Sequence, residues 1–433
     1  MSLAAPPKRL SATAGRVVVL VALGLAALGA HAWYGLRNHF FDLMIYREAM
    51  RWWADGNPLY DYARPDATQG HLEFTYPPVG AFLLRPLAWF SQPQADAVFI
   101  VLALACLAAS VWWLVRPIAD RHGWSRWFAF GVAFILATGL EPIRLAFDFG
   151  QINFVLWALV VFDLAVLAPR GSRWLGVGIG LATAIKLVPG IFIVYLLVSR
   201  RWRAALVATG TTLVATLLAA AVAPSASVTF FSEKLLHGEG VGQLHYVMNQ
   251  SVNGLLARFS EPPSTVVWLV LALPVLGYGL WRAGRAAQAG DELTGMALTG
   301  LAGSLVSPVT WVHHIFWFVP ALLALVDTAA GGSSVRGTRS ENGTALASSA
   351  LSNQPVRSGL RGRTPLLVVA GLTYVTVTLS LLQWWEFNLG RPGGPVGFVL
   401  SNWLVLVMLA LLPMLPIQPR PIARPAAQVA VST

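Results

Sequence analysis

Charge is what this 433-residue sequence has least of: only 11% of its residues are Asp, Glu, Lys or Arg, against 56% that are hydrophobic, and mean hydropathy is +0.63. Soluble domains carry roughly 25% charged residues, so the scarcity excludes a soluble globular protein and leaves an all-α, polytopic integral membrane protein. Cysteine is nearly absent too. The single Cys106 lies inside an apolar run, which excludes an intrachain disulfide and leaves the redox compartment unread. No Walker loop, no Gly-x-Ser-x-Gly and no metal-spaced Cys/His cluster occurs, so ATP hydrolysis, serine hydrolysis and a zinc site lack support. A net charge of +11 and a pI of about 10.4 would suit nucleic acid, but the basic residues are scattered in short clusters between apolar runs. That pattern orients a chain in a bilayer, so the partner is a membrane and not nucleic acid.

A span needs about 20 apolar residues. Candidate runs fall at 16–34, 95–115, 126–141, 152–168, 174–198, 203–223, 264–282, 292–307, 311–327, 365–385 and 397–415, giving 11 or 12 membrane segments. Basic Lys8 and Arg9 precede the first run and Arg16 opens it, and with no clear small-residue cleavage site this is expected to be an uncleaved span. With that end inside, the inner segments collect 20 of the 30 Lys and Arg residues. Two conditions follow. The run from Val79 to Phe90, which contains Arg85 and Pro86, must return without crossing. The run 174–198 must enter and leave on the inner side, because Arg170 and Arg173 precede it and Arg200, Arg201 and Arg203 follow it. Twenty-five residues cannot cross twice, so a pair of short helices broken near Lys186 and Pro189 is expected. Irregular backbone at that depth has to be buried in protein or line a wet cavity.

The stretch from Leu36 to Pro78 follows the first span and holds six of the nineteen acidic residues. So much charge there marks a working surface. Asp42, among Phe40, Phe41 and Tyr46, is either a general base whose proton affinity is raised by apolar neighbours or an acid capping the helix 43–54. Lys186 is an ammonium in an apolar run, suited to a lipid phosphate or to a structural pair with a carboxylate. His313 and His314 follow a Ser-Pro break at the outer face. Their adjacency points them to different sides, against joint ligation of one metal and toward substrate phosphate or proton transfer, or toward a backbone-satisfied interfacial histidine. Glu141, Arg144, Asp148, Gln151 and Asn153 crowd a turn at 141–151, fitting sugar-hydroxyl binding or a solvated cap. Asn249-Gln250-Ser251 could line the same vestibule, and Tyr76-Pro77-Pro78 fixes the chain's return.

In order along the chain, Asp42-x-x-x-Tyr46-x-x-Ala49, Pro58-Leu-Tyr60, Tyr76-Pro-Pro78, Gly150-Gln-x-Asn153, Ile185-Lys-x-x-Pro189, Asn249-Gln-Ser251 and Ser307-Pro-x-x-Trp311-x-His-His314 resemble glycosyltransferase family 87 over about residues 36–325. These are GT-C membrane mannosyltransferases of phosphatidylinositol mannoside and lipomannan synthesis. The resemblance implies inverting transfer of mannose from polyprenyl-phosphate-mannose to a mannosyl hydroxyl of a glycolipid, making an α-(1→2) linkage at the periplasmic face of a bacterial inner membrane. Carried over by position, Asp42 is the general base. Lys186 and one of the paired histidines hold the donor phosphate; His314 is preferred and grouped with Asp42 as catalytic, His313 with Lys186. Tyr46, Tyr76, Glu141, Arg144, Gln151, Asn153, Asn249 and Trp311 are candidates to bind substrate. The partners implied are a lipid-linked sugar donor, a glycolipid acceptor and the bilayer. No cofactor is expected, and metal dependence is left open. The expected organisation is a catalytic membrane core over 1–327 with outer loops 35–94 and 224–263, a disordered inner loop 328–364, two spans within 365–415 and a disordered tail 416–433. The competing expectation is a transporter or flippase of a lipid-linked sugar, which commonly shows paired repeats with broken helices in both halves; one broken segment and no convincing repeat are seen.

Overall fold

The apolar runs fold as helices, and the helices end or bend where proline, glycine or a polar cluster interrupts them. The computed structural model describes residues 11–35, 37–66, 70–235, 242–331, 363–379, 381–383 and 393–419. Lys8, Arg9 and most of the expected inner loop and tail lie outside the described residues.

The first helix, α1 (Ala12–Tyr34), starts on a Ser11 cap and leads to α2 (Phe41–Ala54), which carries Asp42. A two-stranded antiparallel hairpin follows, β1 (Ala63–Asp66) with β2 (Gly70–Glu73), Ala63 opposite Glu73. Nothing in the sequence pattern announces it. Next comes α3 (Pro78–Leu84), about 10 Å long at 1.5 Å per residue and far short of a span. Arg85 ends it by donating to the Met50 carbonyl at 2.8 Å and lying over the Trp53 ring, which ties the segment to α2. A helix this short cannot cross a bilayer by itself, which is compatible with the expected return.

Beyond it, α4 (Gln92–His122) is followed by α5 (Arg126–Gly139) and α6 (Glu141–Phe149), which meet at a 68° bend. Pro142, in the first turn of α6, cannot donate a backbone hydrogen bond, so a continuous helix is not available there. The expected turn at 141–151 is thus a buried helix. Then come α7 (Asn153–Leu167), α8 (Val177–Ile185), α9 (Ile191–Val198), α10 (Trp202–Val222), α11 (Thr265–Gln288), α12 (Glu292–Val306), α13 (Phe318–Gly331), α14 (Arg363–Thr378), α15 (Gly394–Ser401) and α16 (Trp403–Met414). The expected break in 174–198 is present. α8 ends at Ile185, Lys186 is extended (φ −150°, ψ 127°), and a 3₁₀ turn at Val188–Gly190 leads into α9.

Among the described residues, α1, α4, α10 and α11 are long and apolar enough to cross a membrane. The bent pairs α5/α6 and α15/α16 bring the number to six, and shorter apolar helices occupy the other runs. Length alone therefore accounts for fewer crossings than the 11 or 12 expected, because single apolar runs are cut by breakers. The run 311–327, for instance, begins with a 3₁₀ turn at Val312–His314, and its helix starts only at Phe318. The core centres on α12, buried along nearly its whole length against α9, α11, α13 and α16. Its small residues let the rings of Tyr195 and Trp317 lie against its backbone.

Candidate active site

Two chain breaks aim polar side chains into one cavity. The first precedes α2, where His39 (φ 46°) and Phe40 (φ 57°) are both left-handed, a costly conformation for residues with side chains. It is held from outside: Asp148 of α6 accepts from the Asn38 backbone and side-chain amides at 2.9 and 2.6 Å, and its carbonyl accepts from Phe40 N at 2.8 Å. Gly150 completes the joint. It is left-handed (φ +74°), and a Cβ on it would lie 2.6 Å from the Leu43 Cβ, so only glycine lets α6 approach α2 this closely. The second break is at Lys186. A Cβ on Gly80 would come 2.8 Å from the Ile185 carbonyl, so α3 rests directly on the end of α8 and keeps Lys186 extended toward the cavity.

That cavity has a volume of about 560 Å³ and is lined by Asp42, Tyr46, Tyr76, Gln151, Lys186, Trp311, His313 and His314. Asp42 sits in the first turn of α2 but makes no capping bond; its carboxylate accepts from Gln151 Nε2. The Gln151 carbonyl accepts from the hydroxyls of Tyr46 and Tyr76 at 3.3 and 3.4 Å, and those hydroxyls are 2.7 Å apart. Lys186 Nζ donates to Tyr76 Oη at 3.4 Å and Asn153 Oδ1 at 3.2 Å, and lies 3.2 Å from His314 Nε2. Burial pushes the Asp42 carboxyl up to about 7, with the Gln151 hydrogen bond and the Lys186 charge pulling the other way. Burial also raises Tyr46, which stays a neutral phenol.

The histidines differ. His314 Nδ1 accepts from the Trp311 backbone N–H at 3.3 Å, which puts the hydrogen of a neutral ring on Nε2, facing the ammonium. Two donors face each other there, an arrangement suited to an anionic acceptor. His313 packs against Phe149 with ring centroids 5.1 Å apart, and neither of its buried ring nitrogens has a hydrogen-bond partner. A buried imidazole with both nitrogens unused in a ligand-sized cavity is a group waiting for a ligand.

The sequence profile described as glycosyltransferase family 87 matches residues 74–308, more than half of the chain. The chain belongs to glycosyltransferase family 87. It is 34% identical over 326 residues to the polyprenol-phosphate-mannose-dependent α-(1-2)-phosphatidylinositol mannoside mannosyltransferase of Mycolicibacterium smegmatis, covering 69% of this chain and 73% of that one. It is 30% identical over 367 residues to the corresponding phosphatidylinositol pentamannoside mannosyltransferase of the same organism, covering 81% and 86%. An α-(1->3)-arabinofuranosyltransferase of Mycobacterium tuberculosis is more distant, 26% identical over 65% of this chain and 64% of its own. No solved structure matches. Family membership makes the chain a membrane-bound glycosyltransferase of the all-α GT-C class and overturns the transporter alternative.

Within this family 87 enzyme, not every expected substrate residue reaches the cavity. Arg144 points toward α1 and α14, over the Tyr34 ring (3.8 Å) and donating to the Gly139 carbonyl at 3.0 Å, and Glu141 opens the same helix at the bend. Neither lines the cavity, because the α5/α6 bend turns this face into the helix bundle. Asn249 is fully buried and pins two loops together, accepting from Thr310 N and Ser251 Oγ at 3.0 Å each. Asn153 stands behind Lys186, accepting from Nζ and donating to the His313 carbonyl at 2.9 Å, so it aligns both groups. A further wall of the cavity was not anticipated: there Glu73 of β2 pairs with Lys234 at 2.6 Å, and Asp66 and Phe230 face the same space. The acid-rich stretch was the available signal for Asp66 and Glu73. None existed for Lys234, which is 161 residues from its partner.

Proposed function

We propose that the enzyme transfers mannose from polyprenyl-phosphate-mannose to a mannosyl hydroxyl of a phosphatidylinositol mannoside or lipomannan, forming an α-(1→2) linkage with inversion. The cavity would open to the periplasmic side of a bacterial cytoplasmic membrane. One observation carries this reading: a carboxyl poised near neutrality and a buried ammonium share a cavity with an imidazole that has no partner. The names of the mannosyltransferase relatives support the donor and the linkage.

Asp42 takes the proton of the acceptor hydroxyl as its oxygen attacks the anomeric carbon. The bond from that carbon to the phosphate oxygen breaks, and its electrons leave on the polyprenyl phosphate. Lys186 and the Nε2–H of His314 are already fixed beside the position where this charge grows, so no reorganisation is needed as it develops. A neutral His313 offers one N–H and one lone pair, matching a phosphate oxygen on one side and a sugar hydroxyl on the other. We therefore assign substrate contact to His313 as well as to Lys186 and His314. Lys186 supplies the positive charge, and the proposal assigns no metal a role.

The test is transfer of labelled mannose from polyprenyl-phosphate-mannose to a phosphatidylinositol mannoside in membranes, with polyprenyl-phosphate-arabinose as the competing donor. Asp42→Asn is expected to lose at least about 10²-fold in rate. Undiminished transfer in that variant would remove Asp42 as the base, and wild-type transfer from the arabinose donor alone would replace mannose.

A further inference from the structure

The base and the phosphate-holding cation lie in one cavity with no ion pair between them. Lys186 donates to two neutral partners, Tyr76 and Asn153, and stands beside the neutral ring of His314, while the Asp42 carboxylate is taken by the amide of Gln151. Between them runs a chain of neutral groups, from the Gln151 carbonyl through the Tyr46 and Tyr76 hydroxyls to Lys186 Nζ. Gln151 is 4% exposed and both tyrosines are buried, so these side chains are held by packing as well as by hydrogen bonds.

We propose that Gln151, with Tyr46 and Tyr76, is a neutral spacer that prevents Asp42 and Lys186 from collapsing into a salt bridge. The inference rests on the roles given to Asp42 and Lys186 above. A direct pair would disable both at once: the carboxylate would lose basicity and the ammonium would be occupied before the phosphate arrived. Glutamine suits the position because its amide donates to the carboxylate while its carbonyl accepts from the phenols, and it adds no charge of its own. These are positioning residues, since they act through Asp42 and Lys186.

The other titratable groups near Asp42 do not change this logic. Tyr46 and Tyr76 are members of the chain, His314 stands 3.2 Å from Lys186 Nζ, and the His313 ring lies against that of His314. Across the cavity Glu73 is paired with Lys234, and Arg64 of the hairpin is taken by Glu48. Asp66, also on that wall, adds a like charge in every variant alike.

Two substitutions at Gln151 separate a spacer from a residue that only orients the base. Gln151→Ala opens the gap, so Asp42 can reach Lys186. The acid limb of the kcat/KM profile is then expected to move down by about one pH unit, with a raised KM for the donor. Gln151→Leu keeps the bulk but removes the amide, so the limb is expected to move up. If both variants move it up, or neither moves it, Gln151 is not a spacer. Should the alanine variant fail to accumulate in membranes, Tyr76→Phe keeps the ring and removes the link to Lys186. It is expected to raise the donor KM and lower the acid limb, and an unchanged KM and limb would overturn the proposal. Asp42→Asn in the same assay separates the failures. If it transfers normally, the base assignment falls and the spacer with it; if it is inactive while both Gln151 variants behave alike, only the spacer falls.

Discussion

Asp42 offers the sharpest test because its two roles, reacting and being buried, oppose each other. Its carboxyl moves from an ordinary 3.8 to about 7, chiefly through burial. A general base must be ionised, so the rate is set by the deprotonated fraction. For a value near 7 that is roughly 9% at pH 6 and 91% at pH 8, about a tenfold change, whereas an unperturbed aspartate would give a flat profile over the same range. The same burial costs stability. A carboxyl that holds its proton more tightly when folded destabilises the fold once it ionises, so stability is lost as pH rises from about 4 through about 7. At about 1.4 kcal/mol per pH unit, the full penalty above that window is about 4 kcal/mol as an upper figure. Asp42→Asn cannot ionise. It should therefore abolish transfer and, at pH 8, raise the thermal midpoint of purified protein in detergent, while leaving the midpoint near pH 4 almost unchanged. Two measurements decide the matter: the pH profile of labelled-mannose transfer, and thermal unfolding of both proteins at the two pH values. A wild-type acid limb below about pH 5, or a midpoint difference that does not grow with pH, would refute the assignment.

Lys186→Met should reduce transfer by about 10²- to 10³-fold, and Lys186→Arg should not restore it, because the planar guanidinium cannot reproduce a point charge held by Tyr76 and Asn153. His313→Phe keeps the packing on Phe149 and should raise the donor KM without lowering the thermal midpoint; a midpoint drop with unchanged KM would make His313 structural. Gly150→Ala should destabilise the protein by more than the roughly 1 to 2 kcal/mol of a left-handed alanine, since its Cβ also meets Leu43, and the surviving fraction should transfer poorly because α2 is displaced. With Lys186 supplying the charge, transfer should survive a chelator in metal-free buffer, and loss of activity restored by a divalent cation would contradict that.

The parts of this fold legible in the sequence are those written in local charge. Arg85 and Pro86 told that the run 79–90 is not one spanning helix, and the arginines flanking 174–198 called for the break that leaves Lys186 extended. Asp42, Lys186 and the histidine pair stood out because ionisable groups in apolar surroundings are rare. Long-range pairing was not legible. Gln151 looked like a sugar-binding amide but is bonded to a carboxylate 109 residues away, and Arg144 looked like a substrate residue but rests on Tyr34. In both cases the residue type announced a need for a polar partner, and only the bend between α5 and α6 decided which one it met. The hairpin at 63–73 was hidden because its strands are four residues each and alternate too briefly to read.

The breaks themselves explain why chemistry can occur here. A regular helix satisfies its own backbone and offers only side chains, each fixed by a 3.6-residue period; a base, a cation and an acceptor-seeking imidazole can hardly converge from such surfaces at one depth. In this enzyme the convergence comes from irregular backbone: left-handed residues at 39 and 40, the bend at Leu140, the extended Lys186 and the 3₁₀ turn carrying His313 and His314. Three of the four are clamped by a contact from another segment, Asp148 on the first and Gly80 beneath the third, while Asn153 holds the fourth through the His313 carbonyl. Loosening any clamp should thus lower activity more than stability, because the helices persist while the aim of one side chain is lost. Asp148→Ala is the cleanest case. It removes no cavity-lining side chain yet frees Asn38 at the cavity's edge, and it should cut transfer by a larger factor than the change in folded fraction explains; an equal loss of both would mean that the break is held by the bundle alone.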